Sequence, residues 1–329
     1  MEFPGISFNL SALKAASRPD PEKVYDLLIL GGGPAALTAA IYAARKTITL
    51  ALITKEFGGQ VSETSEIENY IGFQTITGTE LTNRFVEHVK GFDIPIAEKE
   101  TIQKVEKDDG LFLVRLQGGA AFRGKTVVFA TGKRHRNLNV PGEKELRGRG
   151  VAYCSICDAP FFRGKRVVVA GGGNSAVTAA IDLAKLATEI TVVNFAAGWQ
   201  ADGILLDNLR RQGHVKMLDN SAVARIEGAD RVSAVAIRNR TTGGETTIPA
   251  DGIFIEIGLF ANTEPVRDLA AVSPSGELIV DCACRTSVEG LFGAGDATTV
   301  PYNQIVISAG EGAKAALGAY DYLLKKGLI

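Results

Sequence analysis

At 329 residues the chain is long enough for two domains of ordinary size. Apolar residues make up 46% and charged residues 22%, which excludes a disordered or fibrous chain. The formal net charge is −1 and no basic block marks a nucleic acid or a lipid surface, so the expected partners are small cofactors and other proteins.

Residues 1–23 do not read as a secretory signal. Glu2 stands near the start, there is no basic leader region, and Pro4, Pro19 and Pro21 interrupt the stretch. They read as an N-terminal extension. No apolar run reaches membrane-spanning length; the richest, Val167-Val168-Val169-Ala170, is strand-length. A cytoplasmic protein is the expectation.

The apolar run 24–30 predicts a strand that stops at Gly31-Gly32-Gly33. Residues 35–46 carry alanines and apolar side chains at helical spacing, and 48–53 predict a second strand. Strand, tight turn, helix, strand is the βαβ unit of a dinucleotide fold. Strands are predicted next over 112–116 and 126–130, the latter running into Thr131-Gly132. The βαβ pattern then recurs as strand 166–170, turn 171–173, helix 174–186 and strand 190–193, its turn offset by 140 residues from the first. Strands over 232–237, 252–257 and 277–280 follow, then Leu291-Phe292-Gly293-Ala294-Gly295-Asp296 and a helix over 310–325. The fold class is α/β, with two Rossmann-like dinucleotide-binding domains.

Each glycine turn has a physical purpose. The first glycine permits the tight turn, the second lets the backbone approach a pyrophosphate, and the third position, which tolerates Ala, lets helix and strand pack closely. The phosphates then meet the unpaired N–H groups of the helix N-terminus. Gly31, Gly33 and Ala36 fit, as do Gly171, Gly173 and Ala176. One such turn could simply end a strand; two in the same strand–helix context point to two nucleotide sites. The acidic ribose ligand usual about 20 residues further on is missing from both: the second strands run into Thr54-Lys55 and Asn194-Phe195.

Between the two turns lies Cys154-Ser155-Ile156-Cys157, followed by Asp158. In Cys-x-x-Cys the first thiol is often acidified by a helix N-terminus and open to exchange with an outside disulfide. Asp158 can carry a proton in that exchange. A metal site would need two more ligands. Cys282 and Cys284 could supply them, but no second Cys-x-x-Cys and no Cys-x-x-His is present, so redox chemistry is favoured and no metal is expected. Cys282 and Cys284 themselves read as buried structural thiols on one face of a strand. His88, His135 and His214 are scattered. His135 sits in the basic run Lys133-Arg134-His135-Arg136, which reads either as solvated surface or as a patch for an acidic partner.

From about Val24 to its end the chain resembles the low-molecular-weight thioredoxin reductases. The resemblance rests on an ordered set: Gly31-x-Gly33-Pro34-Ala35, Gly58-Gly59-Gln60, Glu68-Asn69-Tyr70, Ala130-Thr131-Gly132, Cys154-x-x-Cys157-Asp158, Gly171-Gly172-Gly173-Asn174-Ser175-Ala176 and Gly295-Asp296. The stretches 153–164 and Thr299-Val300-Pro301-Tyr302 look most like the flavoprotein part of NADH-dependent alkyl hydroperoxide reductase. The resemblance implies an FAD domain over 1–140 and 262–329, with a pyridine-nucleotide domain over 141–261 inserted in it, both of three-layer ββα build. It implies FAD contacts at Gly31, Gly33, Pro34, Ala35, Gly59, Gln60, Asn69, Thr131 and Gly132. Asp296 would bond the ribitol or phosphate region, and Gln304 and Ile305 would approach the isoalloxazine. Gly171, Gly173, Asn174, Ser175, Ala176 and Asn194 would hold the nicotinamide nucleotide. Cys157 would lie beside the flavin, Cys154 would attack the partner, and Asp158 would be the acid–base group. A homodimer is implied. The hydroperoxide relative has an extra thioredoxin-like part before its flavoprotein part, whereas only residues 1–23 precede the first strand here. The expected substrate is therefore a separate thioredoxin-like or glutaredoxin-like protein.

One stretch departs from the family. Members that use NADPH carry a His-Arg-Arg run and a further Arg after the second strand of the inserted domain, where guanidinium pairs with the 2′-phosphate. Here it reads Asn194-Phe195-Ala196-Ala197-Gly198-Trp199-Gln200, without a basic residue. NADH is expected over NADPH, with Asn194 bonding a 2′-hydroxyl. The alternatives are a peroxiredoxin-system reductase working through a separate carrier, a thioredoxin reductase fed by ferredoxin or another donor, and a non-catalytic flavin-bound sensor. The second glycine turn disfavours the ferredoxin-fed reading, and that turn with the cysteine pair disfavours the sensor.

Overall fold

The structure is a computed structural model that describes residues 16–64 and 66–329. The described residues form two compact units. One takes the chain to Thr64, then Ile76–Arg134 and Phe260–Ile329; the other takes residues 66–75 and His135–Leu259. The main crossings fall at Arg134/His135 and Leu259/Phe260, a few residues before the boundaries expected at 140/141 and 261/262. Much of the expected N-terminal extension lies outside the described residues. Its end is held in the first unit, where Ser17 accepts the Ile96 amide at 2.8 Å and the Asp20 amide donates to the Tyr25 hydroxyl at 2.8 Å.

In the first unit β1 (Val24–Leu30) leads through the glycine turn into α1 (Pro34–Ala44), then β2 (Leu50–Thr54), α2 (Gly78–Lys90) and β3 (Ile96–Glu98). A meander of β4 (Ile102–Asp108), β5 (Leu111–Leu116) and β6 (Ala121–Phe129) follows. After the second unit the chain returns with β17 (Leu291–Gly293) and α6 (Ile305–Lys325). The sheet order is β3-β2-β1-β6-β5-β4, with β17 also parallel on β6. β1 is buried at every position after Val24, as a strand covered on both faces must be. Its alternation feeds two cores. Leu27 and Ile29 join the alanines of α1 and α6, while Tyr25, Leu28 and Leu30 join Phe112, Val114 and Phe122 under the meander. Small buried residues on both helices, Ala36, Ala39, Ala40 and Ala43 with Ala315, Ala316 and Ala319, let α1 and α6 lie close together.

The second unit repeats the plan. β9 (Arg166–Ala170), α4 (Asn174–Leu183), β10 (Glu189–Val193), α5 (Gly203–Arg210) and β11 (Val215–Leu218) form the nucleotide half. The three-stranded antiparallel sheet β12 (Ser221–Glu227), β13 (Ala234–Asn239), β14 (Glu245–Pro249) covers the other face. The parallel sheet runs β11-β10-β9-β15-β8, with β15 (Gly252–Ile255) between β9 and β8 (Val151–Ala152). Val167 and Val169 face the helices; Val168 and Ala170 face the antiparallel layer. The passages between units are two short strands, β7 (Lys133–His135) and β16 (Leu259–Ala261), paired with each other.

Three expectations are corrected. Residues 277–280 form no strand: Leu278 makes only isolated bridges, and its amide donates to the Ala297 carbonyl at 2.9 Å because a turn, not a ladder, faces it. The two cysteines after it do not share a face. Asp281 accepts the Ala283 and Arg285 amides, both at 2.9 Å, and Cys284 takes a positive φ of 63°, which leaves Cys282 exposed and Cys284 buried. The last helix starts at Ile305 rather than Gly310, since its small residues serve packing against α1 rather than marking a boundary. The sequence reading also passed over α2, although Thr77 and Glu80 carry a capping signal: the Thr77 hydroxyl accepts the Glu80 amide at 3.2 Å.

Candidate functional site

The two glycine turns have the same geometry. Gly31 has φ +129° and Gly171 has φ +143°, values that side chains rarely adopt. A Cβ would lie 2.1 Å from the Ala130 carbonyl oxygen at Gly31 and 2.3 Å from that of Glu256 at Gly171. Gly33 and Gly173 are the N-caps of α1 and α4; neither helix has a side-chain cap or an acidic residue in its first turn. In front of Gly33 a Cβ would meet only the Gly58 oxygen at 4.0 Å, and in front of Gly173 nothing within 4 Å. Each turn thus leaves an open cradle at an uncapped, positive helix end, which suits a pyrophosphate.

Around the first cradle the structure gathers most of the expected FAD residues. Gly59 and Gln60 follow Gly58, whose amide donates to the Gly32 carbonyl at 2.8 Å. Gln60 Nε2 donates to the Lys133 carbonyl at 2.9 Å. The Thr131 hydroxyl donates to the Asn262 carbonyl at 2.9 Å, and Asn262 binds back to Thr131 O at 2.9 Å and Gly132 O at 3.0 Å. A Cβ on Gly295 would lie 3.0 Å from Ala35 Cβ, so Asp296 stands beside α1. Ser308 Oγ of α6 donates to Asp296 at 3.0 Å, and burial raises the Asp296 carboxyl above its ordinary range despite that bond. Gln304 and Ile305 begin α6, three to four residues before Ser308. Asn69 is the exception: it belongs to the second unit.

In the second unit Cys154 and Cys157 are joined as a disulfide, with Cα atoms 5.3 Å apart. Cys154 is the N-cap of a one-turn helix, α3 (Ser155–Asp158), and its Sγ accepts the Cys157 amide at 3.2 Å. The Asp158 amide donates to the Cys154 carbonyl at 3.0 Å, and the Cys154 backbone also lowers the Asp158 carboxyl. The first redox residue caps its own helical turn. Burial is the larger influence on Asp158 and pushes it up to about 6. Tyr153 anchors the turn from the other side. Its hydroxyl donates to Glu143 at 2.8 Å, and Glu143, only 2% exposed, also accepts the Leu138 and Asn139 amides at 3.0 and 2.6 Å.

The basic run at 133–136 does not form an open cationic patch. Lys133 pairs with Glu277 at 2.7 Å and Arg134 with Glu264 at 2.8 Å. The His135 ring packs 4.7 Å from that of Tyr153, and burial, helped by Arg147, lowers it to about 4, so it is neutral at pH 7.

Two of the expected nucleotide residues are engaged within the protein itself. Asn194 is 2% exposed; its amide nitrogen donates to the Gly198 carbonyl at 2.9 Å and its oxygen accepts the Ala196 amide at 3.2 Å. In this structure it ties its own loop instead of offering both ends of its amide to a ribose. Asn174 is engaged similarly: Nδ2 donates to Asp202 at 3.1 Å and Oδ1 accepts the Asp202 amide at 2.8 Å. Ser175 is exposed and Ala176 is buried against β9. A guanidinium does arrive beside β10, from far along the chain. Arg240, next to β13, lies 3.8 Å over the Phe195 ring and donates to the Phe195 carbonyl at 2.8 Å and to Asn220 at 3.3 Å. No local pattern could have revealed it.

Sequence reasoning also missed Glu256. It follows β15, so the strand order β9-β15-β8 sets it beside the redox turn. Ser155 is the group of that turn that holds its carboxyl down in part. Burial pushes it up to about 7, with the Asp158 charge adding to the rise. Cys284 and Glu311 form a separate buried contact, Sγ to Oε2 at 3.0 Å, and burial raises that thiol far above its usual range. Among the described residues no three His, Cys, Asp or Glu side chains are placed to hold a metal ion, and no helix is long and apolar enough to cross a membrane.

Residues 25–313 match the family of pyridine nucleotide-disulphide oxidoreductases. The chain is 44% identical over 315 residues to an alkyl hydroperoxide reductase component of Pseudomonas putida, covering 95% of this chain and 61% of that protein. It is 44% identical over 310 residues to a protein of Bacillus subtilis named NADH dehydrogenase, covering 94% and 61% respectively. The chain thus spans about three fifths of the length of these relatives. Among solved structures, thioredoxin reductase from Streptococcus pyogenes superposes with a TM-score of 0.87 at 39% identity, covering 92% of this chain and 99% of that one. Such likeness runs through both nucleotide turns and the cysteine pair between them, and it settles the family: the chain is a pyridine nucleotide-disulphide oxidoreductase of the low-molecular-weight thioredoxin reductase type, close to the flavoprotein part of alkyl hydroperoxide reductase.

Proposed function

We propose that the protein is an FAD-dependent reductase that passes electrons from NADH to the disulfide of a thioredoxin-like or glutaredoxin-like protein. The observation that carries this reading is the Cys154–Cys157 disulfide with Asp158 on the same helical turn, in the unit that also bears the second glycine turn. FAD at the first cradle and the nicotinamide nucleotide at the second would together supply two electrons to the disulfide. Gly31, Gly33, Pro34 and Ala35 would hold the flavin's pyrophosphate, and Gly171 and Gly173 that of the nucleotide, with the buried Ala176 letting α4 pack close to β9. Asp158, held near neutrality, would give and take the proton that accompanies thiol exchange. Cys154 would attack the partner and Cys157 would resolve the mixed disulfide. A cytoplasmic homodimer fits the family.

A second reading, the reductase of a peroxiredoxin system acting through a separate carrier, is favoured by the 44% identity to the hydroperoxide reductase component. Anaerobic reduction of the purified protein by NADH, followed by turnover with a thioredoxin or with a carrier plus peroxiredoxin, separates the two. Flavin bleaching without disulfide turnover would remove both.

The nucleotide preference follows from charge. Residues 194–200 lack a cation, and the Arg240 guanidinium is already bound to Phe195 and Asn220. NADH is expected to be favoured over NADPH by about tenfold or more in kcat/KM, the scale of one missing charged hydrogen bond. A clear NADPH preference would overturn the assignment.

A further inference from the structure

We propose that Arg240 is a specificity-determining residue of the nucleotide site: its guanidinium is the group that a phosphate on the adenosine 2′-oxygen meets, and it keeps NADPH usable in a site otherwise suited to NADH. The proposal deepens the nucleotide preference argued above and rests on it.

Position comes first. In a unit of this build the strand after the glycine-turn helix ends at the adenosine ribose of the nucleotide. Here that strand is β10, and residues 194–200 follow it. The loop lies against the glycine turn. A Cβ on Gly172 would stand 2.1 Å from Asn194 Oδ1, and the Gln200 amide donates to the Gly172 carbonyl at 2.9 Å. Asn194 bonds its own loop with both ends of its amide. The loop therefore offers a ribose neither a carboxylate nor a cation of its own.

Arg240 reaches that place from the turn between β13 and β14. The turn is fixed: Asn239 Oδ1 accepts the Thr241 and Thr242 amides, both at 2.9 Å, and the Asn239 carbonyl accepts the Gly243 amide at 2.9 Å. The Arg240 amide donates to the Asn220 carbonyl and the Asn220 amide to the Ala196 carbonyl, both at 2.8 Å, so Asn220 ties the turn to the loop. The guanidinium lies over Phe195, 3.8 Å from the ring centroid. Only Nη1 is engaged, by the Phe195 carbonyl at 2.8 Å and Asn220 Oδ1 at 3.3 Å. Among the described residues Nε and Nη2 meet no protein acceptor.

Charge says what those two donors suit. The arginines on the neighbouring strands are neutralised: Arg225 pairs with Glu227 at 2.7 Å and also with Glu245, and Arg238 pairs with Glu245 at 3.4 Å. Arg240 bonds only neutral oxygens, and among the described residues no carboxylate stands within ion-pair range of it. Phe195 is 61% exposed, so the stacked guanidinium is held flat at the surface. A planar fork with two unused donors and an uncompensated charge fits a phosphate monoester better than a hydroxyl. One guanidinium offsets part of the cost of admitting that phosphate, which leaves NADH preferred.

The test measures the dissociation constants of NAD+ and NADP+ by calorimetry on the full, FAD-loaded protein, beside kcat/KM for NADH and NADPH. In Arg240→Gln the ratio of the NADP+ constant to the NAD+ constant is expected to rise about tenfold, the scale of one charged hydrogen bond, and the NADPH-to-NADH ratio of kcat/KM to fall by the same factor. Equal ratios in the native protein and Arg240→Gln would overturn the proposal. A loss shared by both nucleotides makes Arg240 a brace of the loop, and no loss places the phosphate elsewhere. Should Arg240→Gln fail to fold, the native protein at rising salt decides. Screening of a guanidinium–phosphate contact weakens NADP+ more than NAD+, so the ratio should climb with ionic strength; a flat or falling ratio refutes the contact. A native preference for NADPH would overturn the NADH assignment alone, and the Arg240→Gln ratio would still judge Arg240. Binding of neither nucleotide would sink both.

Discussion

Replacing Cys154 with Ser is expected to lower disulfide turnover by at least about a thousandfold, because a hydroxyl at neutral pH is a poor nucleophile and cannot form a mixed disulfide. The fold should tolerate the change. Cys154 is the N-cap of α3 through Sγ, and a serine oxygen accepts the same amide at least as well. Thermal stability should therefore stay close to native, and bleaching of bound flavin by NADH should persist. The companion change, Cys157→Ser, separates the two thiols. If Cys154 attacks the partner, Cys157→Ser leaves the mixed disulfide unresolved, and a covalent adduct with a thioredoxin accumulates on a non-reducing gel. The same adduct appearing in Cys154→Ser, and not in Cys157→Ser, would reverse the assignment.

Gly31→Ala is expected to destabilise the first unit by roughly 3–5 kcal/mol, combining the strain of a forbidden backbone angle with a steric clash. The backbone there has φ +129°, and the new methyl would stand 2.1 Å from the Ala130 carbonyl oxygen and 2.7 Å from its carbon. Ala130 continues β6, which pairs with β1, β5 and β17, so it has no room to retreat. Gly33→Ala is the informative control. Its φ is −84°, and its methyl would meet only the Gly58 oxygen at 4.0 Å. Stability should change by less than about 1 kcal/mol, yet the methyl projects into the proposed flavin cradle, so bound flavin should fall. Urea unfolding and the flavin-to-protein absorbance ratio read the two effects apart. Normal flavin content in Gly33→Ala would place the pyrophosphate elsewhere.

The most legible parts of the chain were those whose cause is local. β1 and β9 are largely apolar runs that end at glycine, and both stand where the pattern places them. The start of α6 was less legible, because glycines that serve close packing against α1 look like boundaries when read along the chain. The Cys282 and Cys284 pair misled for a similar reason. Alternation suggests a strand, but Asp281 accepts two amides and turns the chain, so one thiol meets solvent and the other Glu311.

By itself the sequence determined the two βαβ units, their glycine turns and a redox pair closed within four residues, since each depends on side-chain period or on neighbours in the chain. The tertiary structure alone decided which distant groups act on them. Strand order carries Glu256 to the Cys154–Cys157 turn, a hairpin carries Arg240 onto Phe195, and loop closure turns Asn194 inward. The first two contacts join residues separated by tens of positions, and their energetics depend on burial and on a charge brought beside a distant group, which no run of neighbouring residues encodes.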